Sequence, residues 1–194
     1  MKRPSRALLS AMLTVLVAGC AGGTGPAPTP PPTASPPTAS APTAPTPEGS
    51  AAGWQKAAVT VRHDVGVPPV PVVAAVRHAQ HPAEGYDRVV LDITGPIPGY
   101  DVRYVARPVA DGTGEPVTMP GRRFLRIRLE PAEAHDQAGA STVVRTATLG
   151  YPVLEAYAVT GDFEGVVTVV LGLADEVAFR VAELPGRVYV DVAA

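Results

Sequence analysis

The chain is 194 residues long, with 16 Lys and Arg against 18 Asp and Glu, a formal net charge of −2. That length allows one domain or two small ones, and the balance of charge excludes a protein drawn to nucleic acid by an overall basic field. Composition is uneven: ten of the 23 prolines fall between Ala21 and Gly53, where Glu48 is the only charge, and all ten aromatics lie from Trp54 onward. One 194-residue globule is therefore excluded. Three segments are expected, 1–19, 20–53 and 54–194.

Lys2, Arg3 and Arg6 precede a 12-residue apolar stretch, Ala7 to Ala18. It is too short for a bilayer core, which takes about 20 residues, and has the size of a signal-peptide apolar region. It runs into Val17-Ala18-Gly19-Cys20, which resembles a bacterial lipobox. Small residues before the cysteine let the backbone lie flat in a peptidase groove, and the thiolate then accepts a diacylglycerol. Residues 1–19 are thus expected to be a lipoprotein signal peptide and Cys20 the lipidation site, with a membrane partner reached through palmitate-like acyl chains. Cys20 is the only cysteine, so a mature acylated chain has no thiol left for a disulfide or a thiolate metal site. No later run of about 18 apolar residues follows, so the expected arrangement is extracytoplasmic and anchored to the membrane without crossing it.

Residues 20–53 are rich in Pro, Ala and Thr, lack aliphatic periodicity, and bury too little surface to offset the entropy of ordering. They read as a disordered tether. In extended polyproline form it would reach on the order of 100 Å, at about 3.1 Å per residue.

From Trp54 the pattern changes to short apolar runs bounded by Gly, Pro and Asp. These predict strands at Ala58–Arg62, Val72–His78, Arg88–Thr94, Tyr100–Ala106, Phe124–Leu129, Val153–Thr160, Val166–Leu173, Ala178–Glu183 and Arg187–Val192. Alternation is clean in several. Leu125, Ile127 and Leu129 oppose Phe124, Arg126 and Arg128, and Val89, Leu91 and Ile93 oppose Arg88, Val90 and Asp92. One short helical turn is expected at Pro131–Gln137, with Pro131 at a first helical position and Gly139 as a stop.

An internal repeat appears at an offset of 80 residues: Val73 matches Val153, Gly85 matches Gly165, and Val89-Val90-Leu91 matches Val169-Val170-Leu171. After one deletion Tyr100-Asp101-Val102 matches Phe179-Arg180-Val181. A second echo sets Arg88-Val-Val-Leu-Asp92 against Arg187-Val-Tyr-Val-Asp191. The expected fold is all-β: a β-sandwich of two related antiparallel sheets with at most one short helix.

The segments VRHAQHPAEGYDRVVLDITGPIPGYDVRYV, FLRIRLEPAEAHD and FRVAELPGRVYVDV resemble the AMIN-like domain of actinobacterial lipoproteins, the hallmarks being the RVVLD strand and the closing RVYVDV strand. The resemblance covers about Val72–Val192. It implies a β-sandwich module that places a protein in the cell envelope, with peptidoglycan or an envelope protein as partner.

The residues themselves offer little catalytic chemistry. A nucleophile must sit beside a base, and from Trp54 on there is no Cys and one serine, Ser141, outside any nucleophile-elbow context. Glu130, Glu133 and Asp136 read as a solvated turn, and Asp111-Gly-Thr-Gly-Glu115 lacks the alternating ligands of a calcium loop. His78 and His81 have H-x-x-H spacing, with His63 and His135 elsewhere, but histidine in polar loops needs no metal to explain it. No enzyme, metal or cofactor is expected. Arginine is the better lead: twelve accompany one Lys from Trp54 on. On the alternation above, Arg77, Arg88, Arg103, Arg126, Arg128, Arg180 and Arg187 face outward. Guanidinium forks suit the carboxylates and phosphates of a wall polymer. The candidate binding residues are Arg77, Arg88, Asp92, Arg103, Arg126, Arg128 and Arg187. Asp87, Asp92, Asp101 and Asp191 stand nearby in sequence, so the competing reading is mutually paired surface charge. The alternative function is a carrier lipoprotein holding a lipid or other apolar ligand between its sheets, which requires a large apolar cavity there.

Overall fold

A computed structural model describes residues 53–194. The signal-peptide, Cys20 and tether expectations lie outside the described residues. The ten strands are β1 (Val59–Val61), β2 (Val72–His81), β3 (Tyr86–Thr94), β4 (Gly99–Val105), β5 (Arg123–Glu130), β6 (Thr146–Thr148), β7 (Leu154–Phe163), β8 (Val166–Leu173), β9 (Phe179–Leu184) and β10 (Arg187–Ala193). Every strand pair is antiparallel. Sheet one runs β2-β3-β10-β9 and sheet two runs β1-β4-β5-β8-β7-β6.

The repeat in the sequence is a repeat in the topology. The first half places its hairpin β2–β3 in sheet one and its next two strands, β4 and β5, in sheet two. The second half does the converse: hairpin β7–β8 lies in sheet two, and β9 and β10 in sheet one. Exchanging the halves converts β2-β3-β10-β9 into β7-β8-β5-β4. Each sheet is therefore assembled from both halves. Gly85 and Gly165 both sit at a hairpin turn with φ of 73°, and Glu164 precedes Gly165 at φ 51°. Glu164 and Gly165 fit the two-residue type I′ turn that matches strand twist, whereas Gly85 closes the four-residue loop 82–85.

Alternation sets the core. Val89, Leu91 and Ile93 of β3 and Val188, Val190 and Val192 of β10 face Leu125, Ile127 and Leu129 of β5 and Val167, Val169 and Leu171 of β8. Burial of each such side chain contributes about 1.5–3 kcal/mol. The carrier reading needs a cavity in this layer. Instead it is occupied by Leu91, Leu125, Ile127, Leu129, Leu154, Leu171 and Phe179, all under 2% exposed.

Two expectations are corrected. Pro131–Gln137 is not helical. Its donors leave the segment: Ala132 N–H goes to Gly165 O, Glu133 N–H to Pro71 O, and Ala134 N–H to Asp162 Oδ1. A helix would have sent Ala134 N–H to Glu130 O and left the two earlier donors without partners, and here the neighbouring segments supply acceptors to all three. Asp87 does not join the surface aspartates. It shares the inward parity of Val89, is 2% exposed, and accepts from Leu154 N–H at 3.1 Å. The sequence pattern also gave no sign of β6, a three-residue strand along β7.

Candidate functional site

The outer face of sheet one is built by strand parity. Arg88 and Asp92 on β3 lie directly across from Asp191 and Arg187 on β10, while Arg77 comes from β2 and Arg180 from β9. Side chains directly opposite on one face are close enough to bond. Arg77 donates to Asp92 twice, Nε to Oδ2 at 2.5 Å and Nη2 to Oδ1 at 2.7 Å, and Arg187 Nε reaches the same Oδ1 at 3.1 Å. Arg88 donates to Asp191 twice, at 2.6 and 2.9 Å, and Arg180 Nε adds a third bond at 2.7 Å. Each aspartate thus bridges two guanidiniums. Four arginines stand against two aspartates on this face, so it carries a local excess of positive charge on an acidic chain.

Aromatic rings complete the face. The Arg88 guanidinium lies 4.1 Å from the Tyr189 ring centre and 5.1 Å from that of Tyr86. Arg180 lies 4.6 Å from Trp54 and 5.0 Å from Tyr86, geometry in which the ring quadrupole attracts the cation. These groups roof over Asp191, which is fully buried although it stands on an outer face. Trp54 remains 42% exposed at the margin. The hydrogen bond from Arg77 holds the Asp92 carboxyl below the usual carboxylate range, against a smaller opposing effect of burial.

Arg103, Arg126 and Arg128 stand on the opposite face, on sheet two. Asp101 accepts from Arg103 Nε at 2.5 Å, from Thr60 Oγ1 at 2.8 Å and from Arg126 Nη2 at 3.3 Å. Burial pushes the Asp101 carboxyl up, and these bonds outweigh it, so its pKa is lowered overall. Arg128 pairs with Glu130 at 2.8 Å. Beside them lies a cleft of about 670 Å³ at the ends of β1, β4 and β5, lined by charged and polar groups including Arg62, His63, Asp64, Asp101, Arg128 and Glu130. Part of this face is strapped by the loop before β5: Asp111 bonds Thr168 Oγ1 at 2.5 Å, and its N–H bonds Thr160 O at 3.0 Å. The glycine-rich turn is thereby an anchor for the loop.

The seven predicted residues therefore divide into two groups. Arg77, Arg88, Asp92 and Arg187 come together on sheet one, and Arg103, Arg126 and Arg128 on sheet two. Trp54, Tyr86, Arg180, Tyr189 and Asp191 belong to the first group as well. Tyr86 and Tyr189 share the outward parity of Arg88 and Arg187, a signal present in the sequence. Trp54 carries none, since it reaches the face only because Gln55 pairs with Phe179.

The other chemistry-bearing residues are dispersed. His78 and His81 are three apart on a strand, so they point to opposite sides: His78 Nδ1 lies 2.9 Å from the Tyr151 hydroxyl, and His81 stacks on Tyr86 at 4.6 Å. His63 and the Tyr100 hydroxyl both bond Glu183 Oε1 at 2.9 Å; burial first, and Glu183 second, raise the Tyr100 pKa. His135 pairs with Asp162 at 3.0 Å, but the Ser141 hydroxyl donates to Val143 O at 2.9 Å. Among the described residues no group of three or more His, Cys, Asp or Glu is placed to hold a metal ion.

The family model for the AMIN-like domain matches residues 71–194, well over half the chain. The chain belongs to the AMIN-like domain family. AMIN-like domains are in general non-catalytic modules related to the cell wall, and they are typically extracytoplasmic. No curated protein and no solved structure matches the chain significantly. The AMIN-like match begins just before β2, so Trp54 and β1 precede it.

Proposed function

We propose that the protein is an extracytoplasmic lipoprotein, anchored through Cys20, whose AMIN-like domain binds peptidoglycan or an envelope protein through the outer face of sheet one. The observation that carries this reading is the four-to-two excess of Arg77, Arg88, Arg180 and Arg187 over Asp92 and Asp191, next to exposed Trp54. A bridging aspartate satisfies only part of two guanidiniums, each of which has five N–H donors. Arg77 and Arg187 keep about half of their side-chain surface in solvent, so they can present free donors to carboxylates or phosphates while staying oriented. A flat aromatic at the margin suits the apolar face of a sugar ring.

The test is co-sedimentation of the full-length protein with purified peptidoglycan. Arg77→Glu with Arg187→Glu is expected to abolish binding, and Arg103→Glu with Arg128→Glu, on the other face, to leave it. The reverse result would move the site to sheet two.

A further inference from the structure

Each sheet of the pseudo-symmetric core has two outer edges. β1 lies along β4 and β6 lies along β7. β9 is held only at Phe179, where Gln55 exchanges two hydrogen bonds with it, but this edge carries an inward charge, Glu183, bonded by His63 and Tyr100. Among the described residues, the β2 edge is covered only at its start, where Val73 N–H donates to Glu133 O at 2.8 Å and Val73 O accepts from Thr142 Oγ1 at 2.6 Å.

Beyond that point the direction of each peptide group follows from the ladder. Ile93 N–H donates to Gly186 O on the β10 side, so Leu91, Val89 and Asp87 also turn toward β10, and Asp92, Val90 and Arg88 turn toward β2. Their partners Ala75, Arg77 and Ala79 exchange bonds with β3. Val76, His78 and Gln80 then turn their N–H and C=O groups outward, where no other segment among the described residues pairs with them. Such an edge is a template for another strand, and proteins usually blunt it with Pro, Lys or an inward charge. Val72–His81 has no Pro, Lys, Asp or Glu, and its one arginine is held by Asp92. The repeat marks the same place. Leu91 pairs with Val76, its counterpart Leu171 pairs with Tyr157, and Tyr157 is where β6 lies. Among the described residues, nothing on sheet one fills the position that β6 fills on sheet two.

We infer that this position is filled by β2 of a second copy of the chain, antiparallel, with the two-fold axis at His78. The edge is self-complementary in that register. Val76 faces Gln80 of the other copy, His78 faces its counterpart, and all of them turn their free groups to one another. Arg77 falls opposite Ala79, so no like charges are directly opposed. An isologous contact of this kind closes as a dimer. It joins the two copies of sheet one into one eight-stranded sheet and sets their arginine faces side by side, though the pairing does not depend on what those faces bind.

The test uses the full-length chain with Cys20→Ala, so that an introduced thiol is the only one. Directly opposed Cα atoms in a hydrogen-bonded antiparallel pair are about 5.5 Å apart, within disulfide reach. His78→Cys is expected to oxidise to a covalent dimer, and the parent protein to sediment as a dimer. Gln80→Pro removes one outward N–H and no bond to β3, a position where an edge strand tolerates proline. It is expected to sediment as a monomer with an unchanged thermal melt. A monomeric parent overturns the inference, as does a dimer that survives Gln80→Pro and does not cross-link at position 78. Capture of a foreign extended peptide at this edge by a monomer overturns it equally.

Discussion

Arg88 and Asp191 form a two-pronged ion pair, 2.6 and 2.9 Å, across neighbouring strands β3 and β10, and Asp191 is fully buried beneath it. Four residues along the same two strands, Arg187 and Asp92 make the converse pair at 3.1 Å. The echo of Arg-x-x-x-Asp in the two strands is the cause. Two antiparallel strands carrying the same spacing place each arginine opposite the other strand's aspartate.

The two aspartates should differ sharply when removed. Asp191→Ala leaves Arg88 and Arg180 facing each other under aromatic cover, and breaking a buried pair costs on the order of 3 kcal/mol or more. Asp92→Ala frees Arg77 and Arg187, which are half in solvent, and such exposed pairs are worth roughly 0–1 kcal/mol each. Urea titrations of both variants measure the difference. Equal losses would mean that Asp191 is not protected as described.

Acid should weaken the domain. The Asp92 and Asp101 carboxyls have pKa values lowered in the folded protein, so each contributes stability above its unfolded value of about 3.9. That contribution disappears as pH falls through the lower folded value. Thermal melts are expected to be flat from neutral pH down to about 5 for these groups, then to fall below about 4. Combining Asp92→Asn with Asp101→Asn should lessen the decline between about pH 4 and 2.

Much of this was legible in the sequence. Nine strands follow from period-two alternation and Gly turns, and the repeat anticipates a sandwich of related sheets because hairpins and their registers are local. What could not be read is the assembly of sheets across the halves. No local pattern says that β3 takes β10 as neighbour, and that pairing alone makes the Arg88–Asp191 contact. Pro131–Gln137 carried helix signals that lost to acceptors at Asp162, Gly165 and Pro71, which lie 28, 33 and 62 positions from their donors in sequence. β6 is too short to show periodicity.

The strap over sheet two makes a packing prediction. A Cβ at Gly172 would lie 1.9 Å from Pro120 O, so Gly172→Ala forces the loop off the sheet, at a cost of about 1–3 kcal/mol for overpacking. Gly165→Ala has open space around it but φ of 73°, and should cost about 1 kcal/mol. Limited proteolysis is expected to cut the 106–122 loop faster in the first variant alone.

Anchoring has its own check. Cys20→Ser in cells is expected to move the protein from the membrane fraction to the soluble extracytoplasmic fraction, or to stall its processing. Normal cleavage with full membrane retention would contradict a lipid on Cys20.

The central claim, that the arginine face of sheet one contacts the wall, is tested most directly by binding to purified peptidoglycan across a salt series. Contacts made by partly exposed guanidiniums are screened over about 8 Å at physiological salt. Weak binding is expected that falls as salt rises and disappears with Arg77→Glu and Arg187→Glu while the fold is kept. Binding that ignores salt and survives the double reversal would contradict it.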